Sequence, residues 1–119
     1  MTIGVGTDII EIKTIKQYLT KKYFLDKVFT KNEIDYAKKR DKGKRKAEHL
    51  ATTFAAKEAI FKALGTGWLN PQEIEIKRNK KQEPKVIILG KLGAKFKHKK
   101  ISVSLSFSSS HAIAFAVVS

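Results

Sequence analysis

Glu58 stands where an apolar residue belongs. It follows Phe54 by four positions and precedes Phe61 by three, so on a helix its carboxylate shares a face with Ala51, Phe54 and Phe61. That face heads for a core, where an ionised carboxylate costs several kcal/mol unless something neutralises it. An ion pair with Lys62, one turn on, is the simplest way to do so. Asp8 is the second acid out of place. It ends Gly4-Val5-Gly6-Thr7-Asp8, a stretch with almost no steric bulk beside it. A strand-end Asp that caps a turn, or one that faces water, is the plainer account of Asp8. The glycines are no dinucleotide fingerprint, since the third Gly is missing and no helix opens after them.

Together the two acids suggest a sharper chemistry. One Asp and one Glu, without His or Cys at ligand spacing, suit a hard cation that keeps waters and binds substrate phosphates, in the manner of Mg²⁺. Lys62 can add positive charge for phosphates, and Gly65-Thr66-Gly67 lets backbone N–H groups approach an anion.

Several elements must position these groups. Ile3, Val5 and Thr7 alternate with Gly4, Gly6 and Asp8, the period of a strand. Two glycines in a strand imply that another part of the structure comes close. Ile12, Ile15 and Leu19 then recur at helical spacing with Lys13, Lys16, Lys21 and Lys22 off the stripe, which predicts one short basic amphipathic helix. Thr30-Lys31-Asn32-Glu33 has the form of a capping box, so a helix starts near Lys31 and breaks around Gly43. Lys44 to Leu64 is the strongest helix, with Ala47, Leu50, Ala51, Phe54, Ala55, Phe61 and Leu64 as its stripe and Gly65 as a left-handed cap. Trp68, Asn70 and Pro71 mark a loop. Strands follow at Ile74–Ile76, 86–89, 101–107 and 112–118, with a short helix at 92–96. The pattern predicts an α+β fold: an N-terminal strand, helices including one long central helix, and a mainly antiparallel sheet.

The composition sets the frame. With 119 residues, one domain over 1–119 is expected. A 42% hydrophobic fraction excludes a wholly disordered basic tail, and the lack of Cys excludes disulfide frameworks, Cys-based zinc sites and thiol nucleophiles. No apolar run is long enough for a membrane span and no signal-peptide layout is present, so a soluble cytoplasmic protein is expected. The net charge is +14, from 25 Lys and Arg against 11 Asp and Glu. Such a balance points to anionic partners. Its make-up favours general attraction over base readout, because only Arg40, Arg45 and Arg78 carry the planar fork. The densest run, Lys38 to Lys46, reads as an exposed turn or a polyanion patch.

At this point the residues resemble a family, the holo-acyl-carrier-protein synthases, which are small 4′-phosphopantetheinyl transferases. Gly4-Val5-Gly6-Thr7-Asp8-Ile9 is similar to the family's G-x-G-x-D-[ILV]. Phe54-Ala55-Ala56-Lys57-Glu58-Ala59-Ile60-Phe61-Lys62-Ala63-Leu64-Gly65-Thr66-Gly67 is similar to its F-[AS]-x-K-E-A-x-x-K-[AL]-x-G-[TS]-G. The resemblance implies transfer of the phosphopantetheine arm from coenzyme A to a serine of apo-acyl carrier protein, with release of adenosine 3′,5′-bisphosphate. It implies Asp8 and Glu58 as Mg²⁺ ligands and, with Lys62, as the catalytic set. Lys62, Gly65 and Thr66 would meet coenzyme A, with Lys44, Arg45 and Lys57 as further cations toward it. The acidic carrier would dock on Lys13, Lys16, Tyr18, Lys21, Lys22, Phe24, Lys27 and Phe54. A homotrimer with sites at subunit interfaces is implied too. The base that takes the serine proton stays open between a metal-bound water and either carboxylate.

The chain departs from the family at Thr53, where many relatives have Arg, and at Phe107, where many have His. Lys81-Gln82-Glu83-Pro84 replaces the usual N-G-K-P. Two other readings compete. A basic nucleic-acid-binding module rests on the charge alone and is opposed by the placed acids, so no nucleic-acid partner is expected. A carrier-binding protein without activity rests on Thr53 and Phe107.

Overall fold

The alternating N-terminus forms strand β1, Gly4–Glu11. In the computed structural model, which describes residues 3–40, 44–79, 81 and 83–119 and leaves out the side chains of Arg40 and Lys44, this strand pairs with the last one. Helices α1 (Ile12–Tyr18), α2 (Lys22–Val28), α3 (Lys31–Arg40) and α4 (Lys44–Leu64) follow. A 3₁₀ turn, Pro71–Glu73, leads into β2 (Ile74–Arg78), β3 (Pro84–Ile88), α5 (Gly90–Phe96), β4 (Ile101–Phe107) and β5 (His111–Val118). One sheet has the order β1-β5-β4 and a second the order β2-β3, with every pairing antiparallel. This is the expected α+β architecture. The expected break at Gly43 lies outside the described residues.

Helix α4 is the axis of the fold. Its Ala55, Ala56, Ala59, Ile60, Phe61 and Ala63 are buried under the larger sheet, against Ala114, Ala116 and Val118 of β5. The opposing surfaces are both small, so helix and sheet lie close together. At β1 the approach is closest: a Cβ on Gly4 would overlap the Ala63 carbonyl, and one on Gly6 would overlap that of Ala59. The helix is what the strand glycines admit. A second core gathers Ile12, Ile15, Val28, Phe29, Ala37, Leu50 and Ala51 around the other end of α4.

The single basic helix expected after β1 is two. The chain leaves α1 at Leu19 and re-enters helix at Lys22, with Lys21 in the link. The cause is tertiary. Tyr18 and Phe24 stack at 4.8 Å, and Phe24 also faces Phe54 at 6.3 Å. Six residues apart on a continuous helix, those rings would point to different faces. The capping box forms as predicted: the Thr30 N–H donates to Glu33 Oε1 (2.8 Å) and the Glu33 N–H to Thr30 Oγ1 (3.2 Å). No helix among the described residues is long and apolar enough to cross a membrane.

Candidate active site

The β1–α4 contact brings Asp8 and Glu58 to one place. Asp8 shares the face of β1 that carries Gly4 and Gly6, and those glycines let it approach the helix. Glu58 lies half-buried at the margin of the core. Lys62, on the last turn of α4, reaches back to the strand: its Nζ donates to the Thr7 carbonyl (2.9 Å) and lies 3.4 Å from Asp8 Oδ1. Lys62 therefore pairs with Asp8 and not, as the helix alone suggests, with Glu58. Among the described residues Glu58 makes neither a hydrogen bond nor an ion pair.

Electrostatics mark the same spot. Burial raises the Asp8 carboxyl above its ordinary pKa, against the pull of Lys62. Burial also raises Glu58, and the Asp8 charge raises it further, again against Lys62. Two carboxylates that repel each other with one lysine between them hold more negative charge than they neutralise. That is a setting for a cation, or for a proton held more readily than by a free carboxylate. Among the described residues no three metal-ligating side chains cluster.

After α4, Gly65 takes the left-handed conformation expected of it (φ +75°), its N–H donating to Phe61 O and Lys62 O at 3.0 and 3.1 Å. Gly67 is left-handed too (φ +72°), and Thr66 Oγ1 donates to the Gly67 carbonyl (2.7 Å). The turn stands beside Lys62.

The residues expected to dock the carrier lie on α1, α2 and α4 and in the link between the first two, joined by the ring contacts of Tyr18, Phe24 and Phe54. Lys13, Lys16, Tyr18, Lys21, Lys22 and Lys27 are exposed, and Phe24 and Phe54 are half-buried beneath them. The Lys21 ammonium sits 5.2 Å from the centre of the Tyr18 ring. Trp68 continues the aromatic row, 5.5 Å from Phe54 and 5.2 Å from Phe61. Those two phenylalanines flank Glu58 on its own helix face, so the aromatic row that starts at Tyr18 runs up to Glu58.

Other candidates fall elsewhere. Lys57 is wholly buried, with Nζ 2.7 Å from Glu33 Oε1 and donating to Val28 O (2.8 Å) and Pro71 O (2.9 Å). Its three N–H groups are taken up inside the protein, which corrects its assignment to coenzyme A. Arg45 is exposed at the start of α4, thirteen residues from Glu58 and so about 20 Å away along the helix. Within one chain the two do not meet. The side chain of Lys44 is outside the described residues, as is Gln82. Thr53 is buried, its hydroxyl donating to His49 O (3.0 Å). Phe107 is 56% exposed and lines a pocket of about 330 Å³ with Thr52, Arg78 and Ser104. Sequence reasoning missed the second role of Glu33, whose carboxylate meets Lys57 and also accepts from the Ile76 N–H (2.7 Å). Only its capping half could be read from the chain.

The fold recurs end to end in solved acyl-carrier-protein synthases. A holo-acyl-carrier-protein synthase from Bacillus anthracis in complex with CoA (3′,5′-ADP) matches with a TM-score of 0.82 and 35% identity, covering 97% of this chain and 94% of that one. The Chronobacterium ammoniagenes ACPS–CoA complex matches with a TM-score of 0.86 and 25% identity, covering 99% and 97%. Residues 4–116 match the 4′-phosphopantetheinyl transferase superfamily, to which the chain belongs, among the enzymes called holo-acyl-carrier-protein synthases. The holo-acyl-carrier-protein synthase of Clostridium kluyveri is 40% identical over 99% of this chain and 90% of its own length. That of Protochlamydia amoebophila is 45% identical over 98% of each.

Proposed function

We propose that residues 1–119 act as one cytoplasmic domain that moves the 4′-phosphopantetheine arm of coenzyme A onto a serine of an acidic apo-acyl carrier protein. The reaction depends on Mg²⁺ and releases adenosine 3′,5′-bisphosphate. The observation that carries this reading is Glu58, a half-buried carboxylate without a hydrogen bond or ion pair among the described residues, its pKa raised by burial and by the charge of its neighbour Asp8. The pair fits a hard divalent cation, because oxygen donors are what such an ion takes and two carboxylates leave room for phosphate oxygens and water. Asp8 and Glu58 would hold the ion; when bound, it would neutralise pyrophosphate charge and polarise the phosphorus under attack.

The chain's own residues do the rest. Lys62 is held beside Asp8 by the Thr7 carbonyl, yet its side chain is 55% exposed, so the free side of the ammonium can meet a phosphate. Gly65 and Thr66 border the same space. The serine Oγ attacks the phosphorus that bears the arm. The new O–P bond forms as the bond to the bridging pyrophosphate oxygen breaks, and the electron pair leaves on adenosine 3′,5′-bisphosphate. The serine proton goes to one of the two carboxylates or to a water beside them. The raised pKa of Glu58 suits it to that uptake.

The basic surface of Lys13, Lys16, Lys21, Lys22 and Lys27 offers charge complementarity to an acidic carrier. The outer face of the larger sheet supports a homotrimer: Val5, Ile9, Ile113 and Phe115 form a patch 43–62% exposed in one chain, which a second copy would cover. Assembly of that kind would also let Arg45 serve a neighbouring copy's site. The test is arm transfer to apo-carrier protein, read by the carrier's mass. Undiminished transfer by Glu58→Gln and by Asp8→Ala would sink the metal-ligand assignment.

A further inference from the structure

The carbonyl groups that end α2 are capped from across the fold. Gln72 Nε2 donates to the carbonyls of Asp26 and Phe29, and Lys57 Nζ donates to that of Val28 (2.8 Å). The last carbonyls of a helix have no partner within it, and a cation there also complements the helix dipole. The other two Lys57 N–H groups go to the Pro71 carbonyl (2.9 Å) and to Glu33 Oε1 (2.7 Å). Glu33 holds the Thr30 and Ile76 amides, and Glu75 accepts from the Thr30 hydroxyl at 2.6 Å. One buried ammonium thus fastens the end of α2, the start of α3 and the 3₁₀ turn onto α4, at the residue before Glu58. None of its partners belongs to β1 or to the Gly65–Gly67 turn. Helix α2 itself carries Lys22, Phe24 and Lys27 of the basic surface.

We propose that Lys57 is a positioning residue for the protein acceptor: through α2 it sets the distance between the docking surface and the Asp8–Glu58 pair. The proposal rests on the transferase reading. With no exposure, Lys57 can touch neither substrate, so its effect must pass through the helix it holds. Loss of this anchor separates recognition of the carrier from recognition of coenzyme A, whose candidate contacts Lys62, Gly65 and Thr66 are not among the partners of Lys57.

Two proteins test this. Lys57→Met combined with Glu33→Gln removes both charges, so that neither is buried alone. Gln72→Ala loosens the same helix end from the exposed side and leaves the core intact; it decides the matter if the double variant does not fold. The KM for apo-carrier protein should rise about tenfold in the first and about three- to fivefold in the second, with the KM for coenzyme A within about twofold of wild type. Amide exchange across residues 22–29 should quicken in both. A purely structural Lys57 would lower Tm and leave both KM values of the folded protein unchanged, and that result overturns the proposal. Equal rises in the two KM values overturn it as well. If the wild-type chain transfers nothing, the transferase reading falls and this proposal with it. That failure is distinct, because in the others the wild type is active.

Discussion

Replacing Gly6 by Ala places a methyl group on the face of β1 that rests on α4. The new Cβ would overlap the Ala59 carbonyl and lie 2.8 Å from Ala63 N and 2.9 Å from Lys62 Cβ. Two of those atoms are helix backbone and cannot rotate aside. Strand and helix must therefore part by on the order of 1 Å to recover ordinary contact. Overpacking of this kind costs about 1–3 kcal/mol. At about 4 °C per kcal/mol for a domain of this size, Tm falls by about 4–12 °C. Activity should fall further than stability, because Asp8 moves with the strand and the 2.9 Å bond from Lys62 to Thr7 O is strained. A misplacement near 1 Å can reduce turnover about a hundredfold. Thermal unfolding by circular dichroism, with transfer measured where both proteins remain folded, reads the two effects separately. Gly65→Ala is the informative contrast. No atom lies within 4 Å of its added Cβ, but φ is +75°, so it should cost about 1–3 kcal/mol through backbone strain while leaving β1 in place. A Gly6→Ala protein with wild-type Tm and wild-type turnover would refute the reasoning.

Glu58→Gln should reduce transfer at least about a hundredfold and raise Tm in the absence of divalent cations, because it removes a carboxylate whose ionised form is disfavoured in the fold. The pH dependence follows from the same direction of shift. Asp8 and Glu58 titrate above their ordinary values of 3.8 and 4.5, so their penalty on the cation-free protein is full above the raised pKa values. It lessens as pH falls through them and is gone below the ordinary values, so a Tm series in EDTA should show this contribution as a gain on mild acidification, and Mg²⁺ should flatten it. Phe115→Asp, which puts a charge in the exposed apolar face of the sheet, should yield monomers by analytical ultracentrifugation and lose most transfer with the assembly. Lys13→Glu combined with Lys16→Glu should raise the carrier KM at low salt and weaken its dependence on ionic strength, as screening of a smaller charge requires.

How far the chain disclosed its structure depends on the range of the interactions involved. The capping box at Thr30–Glu33 and the left-handed Gly65 are decided within a few residues, and both are where the sequence puts them. Gly4 and Gly6 showed that something comes close to β1; that it is α4 is a tertiary fact. Glu58 was conspicuous because a helix period of 3.6 fixes its face. Its lack of an ion pair was not, since Lys62 turns instead to Asp8 and the Thr7 carbonyl, on a strand more than fifty residues away. The α1–α2 break and the burial of Lys57 were missed for the same reason. Tyr18–Phe24 stacking and the Val28, Pro71 and Glu33 acceptors are set by packing and leave no periodic mark. A lysine in a basic chain reads as surface until its three acceptors are seen.

The central claim is that the Asp8–Glu58 pair serves a cation-assisted transfer from coenzyme A. The most direct measurement incubates the wild-type chain with coenzyme A and apo-acyl carrier protein, with Mg²⁺ or with EDTA, and follows the carrier and the released nucleotide by mass spectrometry. The account predicts a carrier heavier by one phosphopantetheine arm and stoichiometric adenosine 3′,5′-bisphosphate with Mg²⁺, and neither in EDTA. An unmodified carrier under both conditions, or equal transfer in EDTA, would contradict it.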